Sequence, residues 1–189
     1  MMSVRHELTT PSLAGLDLFV GGPIQHAISD QGFAAGLRDS LSLAHDTLAA
    51  HGATVFSAHR VERFGGDTAL FTPEQVSARD LRWMSKCDVF IPVLPSSDGE
   101  LMRTDGTHIE LGWATALGRP IVLLTEHPIV DSASHLLKGL HRIGDVQHID
   151  VHRFARSPFL LVEAVLRATK RQREAVLVST SAPQRQPVA

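Results

Sequence analysis

The residues best suited to chemistry lie in Thr104-Asp105-Gly106-Thr107-His108-Ile109-Glu110-Leu111-Gly112. A polar loop passes there into a run with helical patterning, so Glu110 is expected in the first turn of a helix beginning at Thr107. Its carboxylate has two readings. It closes a capping box by accepting the backbone N–H of Thr107, or it faces a pocket with its charge free to react. A second acid, Asp80, stands between Arg79 and Leu81-Arg82 on a helix, where an acid is ordinarily solvated. Gly21 and Gly22 follow a strand, and their bare backbone N–H groups can come close to an anion and cradle it. Arg60, next to His59, either grips a phosphate or carbonyl through its planar fork or pairs on the surface with Glu62 or Asp67. Ser134 either caps a short helix or donates to an anion.

A particular frame is needed to bring these residues together. Residues 16–20 read as a strand that stops at Gly21-Gly22-Pro23. Leu37, Leu41, Ala44 and Leu48 recur at helical spacing in a helix over 33–50, closed by Gly52. Strands are expected over 53–57, 88–94, 120–125 and 146–150, with Pro92 an irregularity inside the second of these. Helices are expected over 72–86, 107–117, 134–140 and 158–174. The first of them is signalled by a capping Thr72, Pro73 at the first position and Gln75 three residues on. Segments 58–71 and 95–106 read as loops. Strands alternating with helices predict a three-layer α/β domain of doubly wound, flavodoxin-like (Rossmann-like) type, with a five-stranded parallel sheet in the order 2-1-3-4-5. A ligand then sits beyond the carboxyl ends of strands one and three, where loops 21–29 and 95–106 meet.

At 189 residues the chain suits one domain, expected over 16–175, with a loose N-terminal segment over 1–15 and a disordered tail over 176–189. Hydrophobic residues make up 43%, enough for a core. The 18 Lys and Arg against 20 Asp and Glu leave a net charge of −2, which argues against a nucleic-acid or anionic-membrane surface. A single cysteine, Cys87, excludes a disulfide framework. No apolar run reaches a membrane span and no signal-peptide core is visible, so a cytoplasmic protein is expected. The 11 histidines show no i, i+4 zinc signature with a glutamate base, and no metal is expected.

Read in order over 16–140, Phe19-Val20-Gly21-Gly22-Pro23, Ala58-His59-Arg60, Arg79-Asp80-Leu81, Cys87-Asp88-Val89, Gly106 through Ala114, and Gly118-Arg119-Pro120-Ile121 resemble the nucleoside 2-deoxyribosyltransferase superfamily. The resemblance is nearest to its nucleoside 5′-monophosphate N-glycosidases, including cytidylate and hydroxymethylcytidylate hydrolases. It implies that Glu110 attacks the anomeric carbon C1′, where a carboxylate stabilises an oxocarbenium-like transition state and then captures it. It implies that Asp80 is the proton donor and acceptor. Thr104 stands where phosphate-preferring members carry Ser and transferases carry Asp, and Asp105 and Gly106 follow it. Gly21 and Gly22, with Pro23 after them, are implied to bind substrate, and Gln25 stands where the hydroxymethylcytidylate enzyme has Arg. His59 and Arg60 fall on the base and sugar side. Phe19 occupies the position where many relatives have a Tyr bonded to the nucleophile; this chain has no Tyr. Ser134 is implied to complete the neighbour's site in a homodimer. The implied activity is hydrolysis of a (deoxy)nucleoside 5′-monophosphate, without a cofactor. A base-exchanging deoxyribosyltransferase and a non-catalytic nucleotide-binding module are the alternatives.

Overall fold

Apolar runs buried on both faces form the middle of the sheet. In a computed structural model describing residues 12–181, β1 (Asp17–Gly21), β3 (Val89–Leu94) and β4 (Ile121–Thr125) are buried almost throughout. Strands covered by helices on both sides must be so. β2 (Thr54–Phe56) and β5 (Val146–Asp150) are partly exposed and take the edges. The five strands pair in parallel in the order β2-β1-β3-β4-β5, as the sequence pattern predicts. Pro92 has no N–H to give, and the β3–β4 register pairs only Phe90, Val93 and Leu94 with β4.

Side chains alternate along each strand and divide the core in two. Leu18, Val20, Ile91, Val93, Val122 and Leu124 pack with α1 (Ala35–Ala50), α6 (Val151–Arg156) and α7 (Phe159–Ser181). Phe19, Phe90, Leu94, Ile121 and Leu123 pack on the other face with α3 (Pro73–Lys86), α4 (Asp105–Ala116) and α5 (His135–Gly139). The periodic residues of α1, Leu37, Leu41, Ala44 and Leu48, are all buried. Gly52, at φ +92°, closes that helix: its N–H bonds the carbonyl of Ala49, and the N–H of Ala53 bonds that of Leu48.

Several elements depart from the sequence reading, among them α6, which follows β5 where no helix was expected. α4 starts at Asp105 with Thr104 as its cap, not at Thr107. Segment 58–71 is not all loop: it contains the single turn α2 (Ala58–Val61) and a tight turn at Thr68–Leu70. Small antiparallel hairpins occupy the two loops at the switch point, Ile28–Ser29 with Gly32–Phe33 and Ser96–Ser97 with Glu100–Leu101. α7 continues to Ser181. Most of the expected N-terminal segment, residues 1–11, and the end of the expected tail, 182–189, lie outside the described residues.

Candidate active site

The helix that carries Glu110 is fastened without it. Thr104 is extended, and its Oγ1 accepts the N–H of Thr107 at 3.3 Å while bonding the Thr107 hydroxyl at 2.7 Å. Glu110 therefore lies in the second turn of α4, beyond reach of a reciprocal cap, and the capping-box reading with Thr107 is excluded. No described residue hydrogen-bonds its carboxylate. The side chain is nonetheless only 9% exposed and lies against the end of β1: a Cβ added to Gly21 would stand 2.9 Å from its Oε2. Only a glycine leaves room for this approach. Burial pushes the Glu110 carboxyl well above its usual range, the charge of Asp80 pushes it the same way, and the Arg79 guanidinium opposes both.

Glu110 forms part of the lining of a cavity of about 390 Å³ beyond the carboxyl ends of β1 and β3. The Gly21-Gly22 turn, Gln25 and His26 close one side, and Ala58, His59 and Glu62 close another. Phe71 comes from the turn before α3, Val76, Ser77 and Asp80 from the first half of α3, and residues 103–107 from the start of α4. Thr104 takes the N–H of Thr107, so the N–H groups of Asp105 and Gly106 keep no intrahelical acceptor and the positive end of the helix faces the cavity. The Thr104 and Thr107 hydroxyls share one proton between themselves, which leaves the other free to donate.

Asp80 is not the solvated acid its flanking arginines suggest. It is 7% exposed and accepts from Arg79 Nε at 2.8 Å. Arg79 also donates from Nη2 to Oε1 of Glu62 at 2.6 Å. Glu62 is buried, and its other oxygen accepts the Thr68 hydroxyl at 2.8 Å. Burial raises the Asp80 carboxyl above its ordinary range, Arg79 works against that, and Glu62 adds to it. His59 is buried and bonds the Pro23 carbonyl through Nε2 at 3.1 Å. That bond makes Nε2 the donor, and burial pushes the ring down to about 4, so His59 is a neutral strut beneath the glycine turn. His108 turns back to the carbonyl of Thr104.

Of the expected site residues, the fold brings together Glu110, Asp80, Gly21, Gly22, Gln25, His59, Thr104, Asp105 and Gly106. It places four others elsewhere. Phe19 points into the core between Phe90 and Trp83, with ring centroids at 5.2 and 5.7 Å. Pro23 is represented through its carbonyl on His59 rather than at the cavity wall. Arg60 turns outward to Asp46 on α1, since neighbours on a helical turn point about 100° apart and His59 takes the inward direction. Ser134 caps α5 through the N–H of Leu137 at 3.2 Å and does not line its own chain's cavity. Sequence reasoning missed Glu62 and Arg79 as site residues. The signals were Glu62 at the end of Ala58-His59-Arg60-x-Glu62 and the Arg79-Asp80 dipeptide, but residues at i and i+1 do not ordinarily face each other on a helix. Arg103 and Asp105 form an exposed pair at the rim, at 3.0 Å. Among the described residues no cluster of three metal-ligating side chains occurs and no helix is long and apolar enough to cross a membrane.

A family model described as nucleoside 2-deoxyribosyltransferase matches residues 29–139, more than half of the chain. Among solved structures, BlsM is 24% identical with a TM-score of 0.64, covering 92% of this chain and 99% of that one. That likeness shows a common fold. The CMP N-glycosidase BcmB of Clostridium botulinum is 25% identical over 70% of this chain and 87% of that one, with a TM-score of 0.47. A 2-deoxyribosyltransferase from Bacillus psychrosaccharolyticus is 18% identical over 77% and 94%, with a TM-score of 0.48. No curated protein matches the chain significantly.

Proposed function

The chain belongs to the nucleoside 2-deoxyribosyltransferase family, and from that premise we propose that it cleaves the N-glycosidic bond of a (deoxy)nucleoside 5′-monophosphate. The observation that carries this reading is the Glu110 carboxylate: buried, hydrogen-bonded by none of the described residues, and facing a cavity beside a second buried acid. A carboxylate held this way is costly to ionise and fastens no structure among the described residues.

Glu110 attacks C1′ as the C1′–N bond breaks, and the bonding pair leaves with the base. Asp80, in its acid form, supplies the proton that the departing base needs. Asp80, now a carboxylate, takes a proton from water as that water attacks C1′. The C1′–O bond to Glu110 breaks, giving (deoxy)ribose 5-phosphate and returning both acids to their starting states. The raised affinity of Asp80 for its proton suits the first step. The 5′-phosphate meets the open N–H groups of Asp105 and Gly106, the free hydroxyl proton of the Thr104–Thr107 pair, and the backbone of Gly22. Gln25 stands at the same rim. In a homodimer, Ser134 of the partner subunit would add a donor; the exposed Leu136 beside it on α5, at 83%, suits burial against a second copy.

One observation favours a second reading. Among the described residues, the carboxylates Glu62, Asp80, Asp105 and Glu110 line the cavity, against the single arginine Arg103. A neutral nucleoside suffers less from that field than a phosphate dianion, and Asp105 could accept its 5′-hydroxyl. The activity would then be transfer of the deoxyribosyl group between bases. Incubation with nucleoside 5′-monophosphates and the matching nucleosides, each with and without a foreign base, separates the two by chromatography. Free base and sugar phosphate from the monophosphates alone supports the hydrolase. A new nucleoside formed from the foreign base supports the transferase. No conversion of any substrate eliminates both.

A further inference from the structure

We propose that Glu62 and Arg79 form a positioning pair that holds the Asp80 carboxylate in its working orientation toward Glu110. The inference rests on the proposed glycosidase reading and deepens it, since it assigns two residues that neither touch C1′ nor belong to the expected site.

The geometry is unusual for a helix. Arg79 and Asp80 are consecutive on α3, and their side chains leave the axis about 100° apart. A bond between them requires the longer side chain to curl round. Arg79 does so in a fixed way. Its guanidinium lies over Trp83 at 4.9 Å and over Phe71 at 5.5 Å, which sets its plane. Nε and Nη2 meet the two oxygens of Asp80 at 2.8 and 3.4 Å, while Nη2 also meets Glu62 at 2.6 Å.

Glu62 is the C-terminal cap of α2 on the far side of the cavity, so the pair joins the segment after β2 to α3. With side-chain exposure of 2% and both oxygens engaged, Glu62 has no surface role. Burying an ionised carboxylate to that degree is costly unless its charge and lone pairs are met, as those of Glu62 are. Arg79 thus faces two carboxylates through Nε and Nη2, while its buried Nη1 has no hydrogen-bond partner among the described residues. Its grip on both oxygens of Asp80 fixes the direction of that carboxylate.

The groups facing Asp80 are Arg79 on its own helix, Glu62 from α2, and Glu110 from α4. Farther round the same cavity lie His26, the neutral His59, Arg103 and Asp105. Among the groups that bear on Asp80, only Arg79 favours its ionised form, and removing that charge must raise the pH at which Asp80 gains a proton.

The test pairs carboxyl ¹³C NMR titration of Asp80, assigned with Asp80→Asn, with the pH profile of base release from nucleoside 5′-monophosphates. Arg79→Met keeps the apolar length over Trp83 and removes the charge. The Asp80 midpoint is expected to rise by about one pH unit, with kcat down about tenfold and KM little changed. Arg79→Lys is expected to return the midpoint toward wild type while recovering only part of kcat, because an ammonium cannot grip two carboxylates as a fork. It also serves if the methionine variant fails to fold. The double variant Glu62→Gln/Arg79→Met is expected to be no slower than Arg79→Met alone. An unmoved Asp80 midpoint, a loss carried by KM, or additive effects of the two substitutions would overturn the pairing. A shifted midpoint in a protein whose wild type releases no base would instead overturn the glycosidase reading, because the titration does not depend on turnover.

Discussion

The starts of α3 and α4 look alike in sequence and behave differently in the fold. Both helices are capped by a threonine whose Oγ1 accepts the N–H three residues on. At α3 the local chemistry is complete: Gln75 returns the bond, its Oε1 accepting the N–H of Thr72 at 2.9 Å. At α4 the residue three positions after the cap is another threonine, and the acid that might have returned a bond sits a full turn later. A carboxylate is therefore left over at α4, buried and unpaired among the described residues, while the glutamine at α3 is consumed by structure. A side chain with nothing local to bind is the better sign of function, and here the displaced cap produces it.

The sharpest way to break this contrast is Glu110→Gln. Base release is expected to fall by at least ~10³-fold, while Thr72→Ala at the other cap leaves turnover near wild type. The same substitution should stabilise the fold in a pH-dependent way. A carboxyl whose folded pKa lies above its unfolded value binds more protons when folded, so the wild type loses stability as pH rises from the ordinary glutamate range, about 4.3. The loss ends once the folded group has ionised. The melting-temperature advantage of Glu110→Gln is thus expected to be small in acid, to grow with rising pH and then to level off. A variant less stable than wild type at neutral pH would mean that Glu110 has a partner after all.

The sheet was legible because its strands obey a simple rule. Val89–Leu94 and Ile121–Thr125 are apolar on both faces, which only a covered parallel sheet satisfies. Helix α1 was legible from its spacing and from Gly52. The start of α4 was not, because Asp105-Gly106 carries a turn signal as readily as a first helical turn. Glu110 and Asp80 were found through the order of short motifs along the chain, a kind of evidence that does not report side-chain direction. Adjacency therefore admits Phe19 and Arg60 to the site, but strand alternation turns Phe19 into the core, the commoner place for a strand aromatic, and helical rotation turns Arg60 to Asp46. Glu62 and Arg79 were invisible for the opposite reason: their contact is made across elements, and local spacing argues against the Arg79–Asp80 bond.

Two further substitutions on the α4 side have smaller expected effects. Asp80→Asn removes the proton carrier but leaves Glu110 in place, and a loss of about 10²-fold in base release is expected. Steady-state kinetics across pH should show the variant losing the dependence on a protonated group. Gly21→Ala acts by space alone. The new Cβ would meet Glu110 Oε2 at 2.9 Å and the Phe90 ring at 3.0 Å, so the carboxylate has to move. About tenfold loss of turnover and roughly 1–3 kcal/mol of stability are expected from such overpacking. The effect on turnover should vanish in a Glu110→Gln background, because there is no longer a nucleophile to displace. A turnover loss that persists there would place the work of Gly21 elsewhere.

The smallest effect concerns the caps themselves. Thr72 is exposed, so in Thr72→Ala water can take over the N–H of Gln75, and about 1 kcal/mol of stability is expected to be lost. Thr104 is 6% exposed and Thr107 2%. Removing the Thr104 hydroxyl leaves both the N–H and the hydroxyl of Thr107 without their partner where water enters with difficulty. Thr104→Ala should therefore cost more than Thr72→Ala, approaching about 2 kcal/mol. Chemical denaturation of the two variants measures the difference directly. The ligand inverts the order of interest: a bound phosphate can accept the freed N–H, so the stabilisation given by saturating inorganic phosphate should be larger for Thr104→Ala than for Thr72→Ala. Equal costs without ligand would mean that the α4 cap is as wet as its counterpart, and that the cavity it borders is open to water where Glu110 must be kept dry.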